Sequence, residues 1–122
     1  MNSLGNHLIV ELYKCPFETL DNETLVKETL LDAAKKMDTT IIGSVFHKFS
    51  PYGVTGIVAI AESHISIHTW PEHGYAAVDI FTCGDKDPRI GADYIKTQLR
   101  AQTINYRTLN RGKKASLYRP KR

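Results

Sequence analysis

The segment 62–85, ESHISIHTWPEHGYAAVDIFTCGD, gathers residue types able to do chemistry: three of the chain's five histidines, with Ser63, Glu72 and Cys83 among them, while His47 stands on an earlier apolar run. His64 and His68 are four apart. On a helix that spacing makes a metal pair, but in a strand it spreads them over about 13 Å of one face. No thiolate or carboxylate stands at ligand spacing, so no metal is expected. Ser63 lacks a GxSxG elbow; a Ser-His-Asp arrangement with His68 and Asp79 stays open, because such common residue types carry little information in their spacing. Each candidate also has an ordinary structural reading. Ser63 suits a turn between strands, Cys83 a small buried hydrophobe, Phe49 the core, and Glu72 a solvated turn.

The elements that must position these residues follow from periodicity. Residues 7–13 read as a strand, and 21–37 as a helix with Asp21 or Asn22 as its N-cap and Val26, Leu30, Ala33, Ala34 and Met37 on one face. Runs 41–49 and 54–61, rich in Ile, Val and Phe, flank the turn Ser50-Pro51-Tyr52-Gly53 and predict a hairpin. Residues 64–69 alternate Ile65 and Ile67 against His64, Ser66 and His68. A further strand, 75–82, follows the turn Pro71-Glu72-His73-Gly74. Asp87-Pro88 opens a helix to about residue 102, with Ile90, Tyr94, Ile95 and Leu99 spaced for burial, and 104–109 reads as a last strand. This order predicts an α+β two-layer sandwich: an antiparallel sheet with both helices on one face. The other face needs a cover, and a second copy supplying the same face would give an α/β/β/α dimer.

At 122 residues, with 42% apolar and 24% charged content, one domain spanning 1–122 is expected. Cys15 and Cys83 form no CxxC pair, which points to neither a disulfide framework nor a zinc ribbon and fits a reducing cytoplasm. No basic leader precedes the first apolar stretch, and no apolar run is long enough to span a bilayer. The net charge of +3 is unevenly spread: seven of 16 basic residues lie from Arg107 onward, leaving nine against 13 acids, a net of −4, in the body. The basic tail, about 110–122, reads as a loose solvated terminus, with an anionic or nucleic-acid partner as the alternative.

Glu62-Ser63-His64, then Ile67-His68-Thr69-Trp70-Pro71-Glu72, His73-Gly74-Tyr75-Ala76-Ala77 and Phe81-Thr82-Cys83-Gly84 closely resemble the bacterial and archaeal S-adenosylmethionine decarboxylase proenzymes. Ser3-Leu4-Gly5, His47, Phe49 and Pro51-Tyr52-Gly53 extend the likeness over nearly all of the first 85 residues. Beyond the second long helix it fades.

The resemblance implies self-cleavage between Glu62 and Ser63. The Ser63 hydroxyl attacks the Glu62 carbonyl carbon, turning the peptide into an ester. Elimination leaves a dehydroalanine, and hydrolysis converts this to a pyruvoyl group and ammonia. The products would be a β chain, 1–62, and an α chain, 63–122, forming a dimer of such heterodimers. The pyruvoyl group would be the only cofactor, taking the amine of S-adenosylmethionine as a Schiff base and accepting electrons as carbon dioxide leaves. The decarboxylated product would donate its aminopropyl group in spermidine synthesis. By the same resemblance His68 is the processing base and Cys83 the proton donor in turnover. Thr55, where relatives often carry serine, supplies a processing hydroxyl. Glu72 would accept hydrogen bonds from the ribose, and Phe49 would stack on adenine or meet the sulfonium. Strand parity puts Ser63 and His68 on opposite faces, so their cooperation predicts a bend or break near the cleavage site. The alternatives are a pyruvoyl decarboxylase of another amino acid such as arginine, and a basic-tailed binding module that never cuts itself.

Overall fold

Alternation of apolar and polar residues along the strands generates a sheet with one greasy and one polar face. In the computed structural model, which describes residues 2–120, the elements run β1 (Ser3–Tyr13), α1 (Phe17–Leu20), α2 (Glu23–Lys36), β2 (Thr40–Lys48), β3 (Val54–Ala61), β4 (Ser63–Trp70), β5 (Tyr75–Cys83), α3 (Pro88–Leu99) and β6 (Thr103–Lys113). The six strands form one antiparallel sheet in the order β2-β3-β4-β5-β1-β6. Leu8, Val10, Leu12, Val58, Ile60, Ile65, Ile67, Val78 and Ile80 point from it into the core. There they meet Val26, Leu30, Ala33 and Ala34 of α2 and Ala92, Ile95 and Leu99 of α3. Burying each Val, Leu or Ile among these contributes about 1.5–3 kcal/mol. The expected α+β sandwich with helices on one face is the observed one.

The helix predicted over 21–37 is observed as α2, and the short helix α1 precedes it outside that range. Asn22 caps α2 by accepting the Leu25 amide at 3.0 Å, which leaves Asp21 free to reach another loop. Ile90 is 47% exposed rather than buried, because α3 turns its Gly91-Ala92 side inward against Met37 and Ile80. The tail begins later than its charge suggests: β6 carries the chain through Arg111, beside Gly5, to Lys113, beside Ser3. Backbone pairing with β1 orders those basic residues although few apolar contacts hold them. Lys121 and Arg122 of the predicted tail lie outside the described residues.

Candidate active site

At one end of β4 the tight β3–β4 hairpin presents the Glu62–Ser63 peptide at the surface, with Ile60 and Ser63 as its last paired residues. The end of β5 lies beside it. Ser63 Oγ is 3.4 Å from Cys83 Sγ, and that thiol also points at the Glu62 carbonyl oxygen at 3.7 Å. Cys83 can hold its place because Gly84, at φ 74°, turns the chain sharply away toward α3. A hydroxyl, a backbone carbonyl and a thiol thus share one small exposed corner.

The other end of β4 carries a second group. His68 faces Thr55 directly across the β3–β4 ladder, with Nδ1 3.0 Å from the Thr55 hydroxyl. After Trp70 the chain makes a short 3-10 turn, Pro71–His73, closed by Gly74 at φ 61°, which sets Glu72 beside His68. Across from it, the loop after β2 is held by its own bonds. The Phe49 amide donates to the Gly53 carbonyl at 2.8 Å, while Asp21 accepts from the Gly53 amide and from Lys48, both at 2.9 Å. The Gly53 amide first, then Lys48, hold the Asp21 carboxyl below the usual carboxylate range. These pieces enclose a groove of about 320 Å³ lined by Phe49, Tyr52, Thr55, His68, Trp70 and Glu72. Phe49, for which the core was the ordinary structural reading, is instead 47% exposed on its wall.

Between the two ends the polar sheet face carries a third cluster. Asp79 accepts from the Ser66 hydroxyl at Oδ1, and from His7 Nε2 (2.6 Å) and His64 Nε2 (3.0 Å) at Oδ2. Burial alone would raise this carboxyl; the bonds from Ser66, His7 and His64 outweigh it and hold the group below its ordinary range. Arg111 Nη1 lies 3.0 Å from His7 Nδ1. A guanidinium only donates, so Nδ1 must accept and the His7 proton sits on Nε2, facing Asp79. Among the described residues, His7, His64 and Asp79 are the one group of three whose ligand atoms converge, within 4.8 Å. They fit a metal poorly: a ligating Nε2 would have to lose the proton that Arg111 fixes there, and a guanidinium beside the site repels a cation.

Within one chain these groups do not meet. Strand β4 runs unbroken from Ser63 to Trp70, so the predicted bend is absent, and the five residues from Ser63 to His68 span about 17 Å. The hydrolase triad fails as well, since His68 bonds Thr55 while Asp79 bonds His7, His64 and Ser66. The sequence reading missed His7, Ser66 and Arg111 as members of a site. Their alternation against buried Leu8, Ile65 and Ile67 placed His7 and Ser66 on the polar face, but only the register of four strands brings them together.

The family model described as S-adenosylmethionine decarboxylase matches residues 6–112, most of the chain. The chain belongs to the S-adenosylmethionine decarboxylase family. It is 48% identical over 114 residues to the S-adenosylmethionine decarboxylase proenzyme of Thermotoga petrophila, covering 93% of this chain and 88% of that one. To the proenzyme of the same name from Geobacillus sp. it is 49% identical over 112 residues, covering 92% and 90%. The crystal structure of the adenosylmethionine decarboxylase from Aquifex aeolicus superposes with a TM-score of 0.85 at 42% identity, covering 92% of this chain and 93% of that one. This member of the decarboxylase family thus distributes its candidate residues between the two ends of β4: Glu62, Ser63 and Cys83 at one end, Thr55, His68, Glu72 and Phe49 at the other.

Proposed function

We propose that the chain cuts its own backbone between Glu62 and Ser63, forms a pyruvoyl group at residue 63, and decarboxylates S-adenosylmethionine without a metal. The observation that carries this reading is the corner where the Ser63 hydroxyl, the Glu62 carbonyl and the Cys83 thiol lie together at an exposed hairpin. Ser63 would make a peptide-to-ester shift onto the adjacent Glu62 carbonyl, and the exposed hairpin would let the new Glu62 carboxylate depart into water. The pyruvoyl group fits there: a ketone in place of the small Ser63 side chain keeps Cys83 as its neighbour. Once present, it supplies the electron sink that lets an α-amino acid lose carbon dioxide. Cys83 then hands its thiol proton to the substrate carbon that lost carboxylate.

The groove at the far end of β4 suits a nucleoside. Phe49 offers an exposed ring for a purine, and the Glu72 carboxylate can accept from ribose hydroxyls. Since Ser63 and His68 are about 17 Å apart in one chain, two copies are needed to complete each site. We place the second copy on the polar sheet face, so that Ser63 and Cys83 of one chain meet Thr55, His68, Glu72 and Phe49 of the other. Exposed Val45, Ile57 and Trp70 on that face support this packing. His68 of the partner subunit would take the Ser63 α-proton during elimination, its ring oriented by Thr55. Unpaired Cys15 and Cys83 suit a reducing compartment, and we assign the enzyme to the cytoplasm. The relatives bear the decarboxylase name, and nothing in them supports an arginine-directed enzyme or a non-catalytic binding module.

A denaturing gel with intact-mass measurement tests the reading. Wild-type protein should run as fragments 1–62 and 63–122, the second carrying a pyruvoyl end, and should release carbon dioxide from S-adenosylmethionine. Ser63→Ala should remain whole. An intact wild-type chain after long native incubation would sink the proposal.

A further inference from the structure

The cluster on the middle of the polar face lies one residue from the cleavage site. We infer that Asp79, with His7 and Arg111 behind it, is a positioning group that holds the residue-63 end of β4 in register after the backbone is cut. The inference rests on the self-cleavage proposed above.

Before cleavage the start of β4 is tethered covalently to β3 through Glu62. Cleavage removes that tether, and a strand end without it frays unless other bonds hold it. Backbone pairing to β3 and β5 remains, but both ladders stop at this corner, with Ile60 opposite Ser63 and Phe81 opposite His64. The first side chain after the cut is His64, and Asp79 grips it at 3.0 Å. Ser66, two residues on, donates to the other oxygen of the same carboxylate, so both oxygens hold β4. Asp79 is itself fixed from the far side: His7 on β1 donates to it at 2.6 Å, and Arg111 on β6 locks the His7 ring in the tautomer that donates. Phe81 packs against both imidazoles, with ring centroids 5.4 Å from His7 and 6.0 Å from His64, and limits rotation of either. Four strands thus brace one new chain end. Residue 63 must stay against Cys83 for a proton to be delivered to the correct carbon, so slack at His64 would appear in turnover.

The test compares Asp79→Asn in two backgrounds: the self-cleaving chain and the uncut Ser63→Ala chain. Hydrogen exchange of the segment 63–70, followed by mass spectrometry, is the primary readout. In the cleaved protein Asp79→Asn should speed exchange of the first amides of β4 about tenfold, while in the uncut chain the change should stay below about twofold. In steady state kcat should fall about tenfold with KM within about threefold, since the nucleoside groove is untouched. Equal acceleration of exchange in both backgrounds would reduce Asp79 to general fold stability and overturn the inference. So would no acceleration in either. If Asp79→Asn fails to fold, Arg111→Gln at the exposed edge strand removes the tautomer lock, and the same background-dependent difference must appear, at a few-fold. A wild-type chain that never cuts would sink the proposed function instead, and the gel reads that before any variant is made.

Discussion

Two crippled chains should rescue each other. Ser63→Ala removes the nucleophile and leaves His68; His68→Ala removes the base and leaves Ser63. If each site draws Ser63 from one copy and His68 from the other, neither variant alone can cut itself efficiently. Co-expressed in equal amounts, random pairing makes about half of the dimers mixed. In a mixed dimer one site combines both lesions, and the other combines an intact Ser63 with an intact His68. One chain in four should therefore be cut, and every cut chain should carry the His68→Ala substitution, half of that population. The distance makes the expectation sharp: about 17 Å of regular strand lies between the two residues of one chain, and no rotamer spans it. A mass difference of an alanine for a histidine identifies which chain was cut. If the co-expressed His68→Ala chain is cut no more than when expressed alone, the site is not shared between copies. If His68→Ala alone is cut at the wild-type rate, His68 is not the processing base.

Other variants probe separate parts of the argument. Cys83→Ala should still cleave, though its decarboxylation should fall at least about tenfold, because alanine has no S–H to donate to the substrate carbon. A proton taken up at residue 63 instead leaves alanine there, with the substrate's nitrogen, and releases the substrate as an aldehyde; mass spectrometry of fragment 63–122 after turnover should show this species accumulating above the wild-type level. Gly56→Ala should destabilise by about 1–3 kcal/mol, since the added Cβ would run into the Phe46 ring; an unchanged melting temperature would show that Phe46 moves freely. Asp79 should make the fold acid-sensitive. Its carboxyl is lower in the folded state than in the unfolded chain, where about 3.9 is usual, so its contribution is present above that value and is lost as pH falls through the folded one. Urea melts of wild type and Asp79→Asn should therefore converge below about pH 4, and a difference that grows toward acid would reverse the assignment. Deleting residues 117–122 should leave cleavage and turnover unchanged, whereas a cut before Arg111 should show at least the few-fold Arg111→Gln phenotype.

Local rules made the fold legible. Alternation around Ile65 and Ile67 and the cap at Asp87-Pro88 needed no tertiary information, and β3 has the bounds that its composition suggests. The choice between Asp21 and Asn22 as the helix cap was not legible, because a residue that can cap a helix can equally bind a distant loop, as Asp21 binds Gly53 and Lys48. The site was legible only as a list of residues. Spacing could not show that Ser63 and Cys83, twenty residues apart, adjoin at 3.4 Å, or that Ser63 and His68, five apart, lie at opposite ends of a strand. The polar cluster was the least legible of all, since its members come from β1, β4, β5 and β6 and each alone is an ordinary surface residue.

Strand order also explains how such a chain can tolerate being cut in two. Fragment 1–62 would own β1, β2 and β3, and fragment 63–122 would own β4, β5 and β6, yet the sheet does not divide between them. β1 lies between β5 and β6, paired along its length with both, and β3 pairs with β4. Above the sheet, α2 of the first fragment packs on α3 of the second, and Leu8, Val10 and Leu12 share one core with Ile65, Ile67 and Ile80. Separating the fragments would mean breaking three antiparallel ladders and exposing that core, whereas cleavage itself releases only the tether at a surface hairpin. The freedom gained would be confined to the few residues at the new ends. Residue 63 would be one of them, and on the proposed chemistry it is also the residue that must be held still.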